Sequence, residues 1–161
     1  MLHRTHDTMP PAGLRRLLAR APIRMYHWHL GWMLGHRVLL LTHIGRTSGQ
    51  PREVVVEIDG REEETGAYLI ASGFGRHSDW YRNIQHTPAV TVQIGNRSFP
   101  ATARALSPEQ SGLAMSDYAR LHPRTARSLL RVCGLDGDGT PSDYDRAGRE
   151  YILFVAITPT T

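Results

Sequence analysis

From Arg37 onward the apolar residues stop recurring at helical spacing and fall into six short runs with period two or β-branched character, at 37–43, 53–59, 67–72, 89–95, 97–106 and 151–157. Runs this short, bounded by Gly, Asn and acidic turns, read as strands, and a half-buried strand is stable only when neighbours pair with it. Gly95-Asn96, between the fourth and fifth runs, is the signature of a tight hairpin. The expected fold is therefore mainly β with peripheral helices: a small barrel of about six antiparallel strands whose mouths or seams hold a ligand. Helices are expected at both ends of this arrangement. Leu14, Leu17, Leu18 and Ala21 recur at helical spacing, and Pro22 starts a second helix reaching about Gly35. Further helices are expected at 79–85, at 108–121 behind the capping box Ser107-Pro108-Glu109-Gln110, at 123–133, and at 142–146 before the last strand. Residues 1–36 are expected to form a mobile polar tail (1–11) and amphipathic helices, and residues 37–161 the barrel, within one domain.

All 19 basic side chains are arginine. A chain without lysine cannot form a lysine Schiff base, hold pyridoxal phosphate in the usual way or build a Walker loop. Any anion it binds is held by guanidinium forks, hydroxyls and backbone N–H groups. The charge is uneven: residues 1–52 carry eight arginines against one acid, residues 53–64 six acids against one arginine, and the remainder ten arginines against eight acids. No helix-turn-helix spacing, zinc-finger pattern or aromatic RNA-binding signature accompanies the basic third, so no nucleic-acid partner is expected. A local anionic ligand suits it better, or an anionic membrane surface met by residues 14–36; the helix there that carries Trp28 and Trp32 between arginines reads first as one packed between the core and a covering element, with membrane contact as the alternative. The single cysteine, Cys133, excludes an internal disulfide and a thiolate metal site and points to a cytoplasmic setting, at the inner membrane face if those helices touch lipid. The nine histidines lack metal-ligand spacing, and Asp136-Gly137-Asp138-Gly139 lacks the distal acid of a calcium loop and reads as a turn.

Two stretches carry chemistry. In Gly45-Arg46-Thr47-Ser48-Gly49-Gln50-Pro51-Arg52, two glycines, two hydroxyls and two arginines lie between two strands. Glycines admit an anion close to backbone N–H groups, hydroxyls donate to its oxygens and guanidinium forks neutralise it, so phosphate is the natural guest; a hairpin loop that is polar only because it is solvated has the same composition. In the second stretch, Ala71-Ser72-Gly73-Phe74-Gly75-Arg76-His77-Ser78-Asp79, a strand ends in small residues that leave room for a flat ring. The helix that follows carries Trp80 and Asn83 one turn apart, which reads as packing.

These stretches resemble the deazaflavin-dependent nitroreductase family, split-barrel flavin-fold enzymes that use coenzyme F-420. The resemblance is carried by Leu41-Thr42-His43-Ile44 running into the 45–52 loop, by Tyr68-Leu69-Ile70-Ala71-Ser72-Gly73-Phe74-Gly75, by Asp79-Trp80-Tyr81-Arg82-Asn83-Ile84, by Pro88-Ala89-Val90-Thr91-Val92-Gln93, and by 144–159, in order through residues 37–159. It implies a split β-barrel in which Arg46, Thr47, Ser48 and Arg52 hold the coenzyme's phosphate and Gly49 permits the turn. Val54, Val55 and Val56 would border the deazaflavin ring by backbone contact, Ala71, Ser72 and Gly73 would lie along its other edge, and Tyr144 would face the substrate. The implied reaction moves a hydride from the reduced coenzyme to a small electron-poor acceptor: a quinone, an activated alkene or a nitroaromatic. Tyr144 or Tyr151 would protonate that acceptor. Thr47 and Gly73 stand where many relatives carry a basic residue, so the coenzyme's acidic tail would depend on Arg76 or the N-terminal arginines. The same barrel class also accommodates FMN, and a carrier of the coenzyme or of a lipid, without turnover, is a third reading.

Overall fold

The period-two runs pair as one antiparallel sheet. In the computed structural model, which describes residues 1–4, 23, 24, 27 and 35–160, the strands are β1 (His3–Arg4), β2 (Val38–Ile44), β3 (Pro51–Glu57), β4 (Gly60–Arg61), β5 (Tyr68–Ser72), β6 (Ala89–Ile94), β7 (Arg97–Ala105), β8 (Leu135–Asp136) and β9 (Leu153–Pro159). The helices are α1 (Asp79–His86), α2 (Pro108–Leu121), α3 (Pro123–Val132) and α4 (Pro141–Glu150). Seven strands form the main sheet in the order β3-β2-β6-β7-β9-β5-β4. It curls so that β3 approaches β5 without pairing to it. This is the expected split barrel, with β4 added to the six expected strands.

Side-chain parity explains two cores. Along β5 and β9, Tyr68, Ile70, Leu153, Val155 and Ile157 point into the barrel with Leu39, Leu41 and Val92. Leu69, Ala71 and Phe154 point the other way and are covered by Met115, Tyr118, Ala126, Leu130 and Ala147 from the helices. A strand buried on both faces needs an almost unbroken apolar run, which is why β9 reads Leu-Phe-Val-Ala-Ile. The helices over the outer face begin on strong caps. Ser107 and Gln110 form a reciprocal capping box at α2, and Thr140 and Asp143 another at α4. α4 is longer than the expected 142–146 because Ala147 and Gly148 continue it against α2. There the two backbones nearly touch: a Cβ at Gly148 would overlap the Ser111 carbonyl oxygen and lie 2.7 Å from Met115 Cβ.

The expected mobile tail is overturned for its first four residues. β1 pairs with β8, Leu2 is 2% exposed in the second core, and the N-terminal amine lies 2.6 Å from Asp138 Oδ2. One buried leucine and one ion pair tie down a segment whose composition alone looks free, and Asp136, expected in a turn, lies in the strand it pairs with. The remainder of the expected tail, residues 5–11, lies outside the described residues, as do most of the residues expected to form the N-terminal helices. Ile23, Arg24 and His27 are helical. Ile23 packs on Leu40 and Val55 on the outer face of β2 and β3, and His27 Nε2 lies 2.6 Å from Glu53 Oε2. Trp28 and Trp32, on which both the packed-helix reading and its membrane-contact alternative turn, lie outside the described residues, and no described helix is long and apolar enough to cross a membrane.

Candidate functional site

The loop between β2 and β3 closes on itself. Gly45 N donates to Gln50 O at 2.9 Å and Gly49 N donates to Gly45 O at 2.8 Å, with Gly49 at φ +68°, a left-handed turn position that glycine takes without strain. Gly45 is buried while residues 46–50 are exposed. Above Gly45 three polar atoms converge: a Cβ built there would lie 2.6 Å from Ser48 Oγ and 3.5 Å from both Arg52 Nε and the Gln50 carbonyl oxygen, which already accepts from Gly45 N. With glycine at 45 the Ser48 hydroxyl keeps this position; a Cβ there would displace it. Ser48 Oγ accepts from Gln50 N at 3.2 Å, which holds the hydroxyl there. The backbone N–H groups of Thr47 and Ser48 carry no backbone hydrogen bond among the described residues, and Arg52 has no ion-pair partner among them. Two open N–H groups, a hydroxyl and an uncommitted guanidinium are the donor set of an oxyanion cradle.

Arg46 is placed differently. Its backbone N and its Nη1 both donate to Asn83 Oδ1, at 3.1 and 2.8 Å, and its Nη2 reaches Asp79 Oδ1 at 3.2 Å. It ties the loop to the first turns of α1. Because Asn83 Oδ1 accepts twice, its Nδ2 is left to donate to His43 Nδ1, 3.1 Å away, which puts the ring proton on Nε2. His43 is 4% exposed and Asn83 3%. Burial, followed by the facing Arg52 charge, pulls the His43 pKa down to about 4, with Asp79 opposing, so the ring is neutral at pH 7. Asn83 is the residue sequence reading missed. It was legible as a packed helix position one turn from Trp80, but the signal for its role is an amide one helical turn after an N-terminal acid, aimed at a loop 37 residues earlier.

The strands that carry the two expected ring edges, β3 and β5, come into contact across the split. Leu39 pairs with Val56, Leu41 with Val54 and His43 with Arg52, so Val54, Val56 and Arg52 are on the barrel face, while Val55 pairs with Leu40 on the opposite face beneath Ile23. β3 is a sheet edge, which leaves one row of its backbone groups open. On the other side, Ala71 and Ser72 end β5, Ser72 Oγ donates to Gly75 O at 2.9 Å, and Gly73 lies against Cys133, where a Cβ would be 3.3 Å from Sγ. Burial pushes the Cys133 thiol up to about 11, which makes it inert at neutral pH. Where the chain crosses from β3 to β4 through Ile58 and Asp59, burial pushes the Asp59 carboxyl up to about 7; the Glu57 charge acts the same way and the Ala71 backbone N–H opposes.

Tyr144 is not brought to this place. It is 8% exposed in the second core with Leu2, Met115 and Leu135. Tyr151 instead lines a cleft of about 400 Å³ with Arg4, Phe74, Arg76, His77 and Arg149, Arg4 lying 5.4 Å above its ring. No cluster of three or more potential metal ligands occurs among the described residues.

The family described as F420H(2)-dependent quinone reductase matches residues 21–128, more than half of the chain. The F420H(2)-dependent quinone reductase Rv1261c of Mycobacterium tuberculosis is 32% identical over 97 residues, 55% of this chain and 60% of that protein. The putative F420H(2)-dependent quinone reductase Mb1292c of Mycobacterium bovis is similar to the same degree and extent. The match thus spans about three fifths of the length of these relatives. A pyridoxamine 5'-phosphate oxidase-related, FMN-binding protein of Nostoc punctiforme superposes with a TM-score of 0.53 at 13% identity, covering 93% of this chain and 83% of that one. That likeness shows the split-barrel fold.

Proposed function

The chain belongs to the F420H(2)-dependent quinone reductase family, and on that premise we propose that it binds coenzyme F-420 across the split and passes a hydride from its reduced form to a small electron-poor acceptor of the quinone class. The observation that carries this is the cradle over Gly45, where the Ser48 hydroxyl and Arg52 guanidine converge on the position that a Cβ at 45 would take from the hydroxyl. A phosphate there would be held by Thr47, Ser48 and Arg52, with Gly49 making the turn. Arg46, through Asn83 and Asp79, fixes the loop and adds charge. Val54, Val55 and Val56 would offer the open backbone of an edge strand to one side of the ring, and Ala71, Ser72 and Gly73 the other side. The coenzyme supplies a two-electron hydride donor; the protein orients two flat molecules and excludes water. With Tyr144 buried in the second core, Tyr151 is the tyrosine left near the β5 end of the split, beside Phe74 and Gly75.

The test is oxidation of reduced coenzyme F-420 by the purified protein with a panel of quinones, activated alkenes and nitroaromatics. Steady turnover with at least one quinone is the expected result. Tight coenzyme binding without turnover on any acceptor would identify a carrier instead, and a yellow protein that retains FMN and ignores the deazaflavin would reject the proposal.

A further inference from the structure

Three stretches far apart in the chain meet around the cleft of about 400 Å³: Arg4 of β1, residues 74–77 after β5, and residues 149–151 at the end of α4. Backbone sets the meeting point. A Cβ at Gly75 would lie 2.7 Å from the Tyr151 carbonyl oxygen, so the two segments touch there, and Ser72 Oγ, at the end of β5, donates to Gly75 O at 2.9 Å. Arg4 is delivered by β1. That strand pairs with β8, is fixed by the buried Leu2, and has Arg146 Nη1 donating to the Leu2 carbonyl oxygen at 3.5 Å. The Arg4 guanidinium is left 5.4 Å above the Tyr151 ring, so the anchoring of the first residues supplies the cleft with one of its cations.

The walls are cationic and partly aromatic. Arg4, Arg76 and Arg149 stand there against one acid, Glu150. Glu150 is engaged by Arg146 at 3.2 Å, and Arg149 by Asp145 at 2.7 Å and Glu109 at 3.6 Å. The Arg76 carbonyl accepts from Arg82 Nε at 2.7 Å, while its exposed guanidinium enters no ion pair among the described residues. Half-buried Phe74 and Tyr151 supply the apolar surface. Guanidinium forks pair a carboxylate in its plane, and an aryl ring packs on aromatic side chains beside them, so a cleft of this size and lining suits a flat ligand with an anionic substituent.

We propose that this cleft binds aromatic carboxylates, with the carboxylate between Arg4 and Arg76 and the ring against Phe74 and Tyr151. Phe74 and Gly75 follow directly on Ala71, Ser72 and Gly73, the edge proposed to border the coenzyme ring. The ligand is therefore the electron acceptor, and the preferred acceptors are quinones that carry an acidic substituent. Its role as acceptor rests on the reductase reading above; the binding of an aromatic carboxylate does not. Both guanidinium groups are exposed, so solvent weakens each contact, and the pair should favour the anion over an uncharged isostere by about tenfold.

The test uses a naphthoquinone carboxylate and its uncharged carboxamide, titrated by calorimetry into the coenzyme-free protein. The carboxylate should bind about tenfold more tightly, and that ratio should shrink as salt is raised. Arg76→Gln should bring the ratio to within about twofold of unity, and Arg4→Gln, which keeps Leu2 and the β1 backbone in place, should do the same. With reduced coenzyme present, the ratio of kcat/KM for the two quinones should follow the binding ratio in the wild type and in both variants. Equal binding of the two quinones to the wild type overturns the proposal, as does a preference that survives in both variants. Equal binding together with weaker coenzyme F-420 binding in Arg76→Gln overturns it in favour of the coenzyme's own acidic end as the occupant. Preference for the carboxylate in a protein that binds no coenzyme F-420 overturns the reductase reading and the acceptor role, while the aromatic-carboxylate site stands.

Discussion

Replacing Asn83 by aspartate changes one atom under the candidate phosphate loop and should reverse the protonation of His43. In the native protein the Asn83 amide donates to His43 Nδ1 and accepts from Arg46 at 3.1 and 2.8 Å. The buried ring is held neutral with a pKa near 4, against an ordinary 6.5. That displacement corresponds to about 3 kcal/mol in favour of the neutral form. In Asn83→Asp one carboxylate oxygen can still accept from Arg46, but the other meets His43 Nδ1 as an acceptor facing an acceptor. The pair is relieved only if Nδ1 takes up a proton. A carboxylate at hydrogen-bond distance raises an imidazole pKa by about 1 to 3 units, so His43 should titrate near 6 and carry its neutral-form proton on Nδ1. Long-range proton–nitrogen NMR of the ring reads both quantities in one pH series. A His43 that keeps its proton on Nε2 and still titrates near 4 would show that the Asn83 amide is not oriented as the Arg46 contacts require, and the description of the loop anchor would be wrong.

Three further outcomes follow from the same geometry. The folded His43 pKa lies below its unfolded value, so the unfolded chain binds the extra proton between pH about 4 and 6.5 and up to about 3 kcal/mol of stability is lost as pH falls through that window. Asp59 acts in reverse: its folded pKa lies above the ordinary 3.8, so stability is lost as pH rises from there to about 7, by at most about 4 kcal/mol. Because the two slopes oppose each other, denaturant melts of Asp59→Asn should expose a rise of about 3 kcal/mol from pH 4 to 6.5 that the wild type masks; equal profiles for the two proteins would contradict the Asp59 assignment, and a flat profile in the variant would contradict the His43 one. Gly148→Ala should lower the thermal midpoint by about 5 °C or more, because its Cβ has no room between α2 and α4; an unchanged midpoint would mean that the helices separate freely. Leu2→Ala should destabilise the whole domain by about 2 kcal/mol or more in denaturant melts, whereas a frayed terminus would show no change.

What could be read from the chain depended on how local the cause was. The hairpin at Gly95-Asn96, the Ser107 capping box and the period-two runs are local, and they appear where expected. Gly45 and Gly49 signalled a tight loop because backbone conformation and close approach leave a mark in residue type. Arg46 showed the limit of composition. An arginine in a polar loop looks the same whether it meets a ligand or an Asn one helix away, and here Asn83 and Asp79 engage it. β1 and β4 are two residues each, too short for any periodicity, and exist because a buried Leu2 and the crossing at Ile58 and Asp59 bring their partners near. Tyr144 carries no sequence mark that separates a substrate-facing ring from a core ring, and it is a core ring. Asp59 sat unremarked in an acidic run; only the fold shows that it is the acid of that run at the crossing, where burial raises its pKa.

The central claim is that the Gly45–Arg52 loop grips the phosphate of a deazaflavin coenzyme, and fluorescence titration of coenzyme F-420 into the wild type and into the double variant Ser48→Ala/Arg52→Ala tests it most directly. Each charge-assisted bond to phosphate contributes about 1.5 to 3 kcal/mol, so losing both should weaken binding by about 10² to 10⁴-fold while the thermal midpoint stays within about 2 °C, since neither side chain is buried. Equal affinity in wild type and double variant would contradict the assignment of this loop.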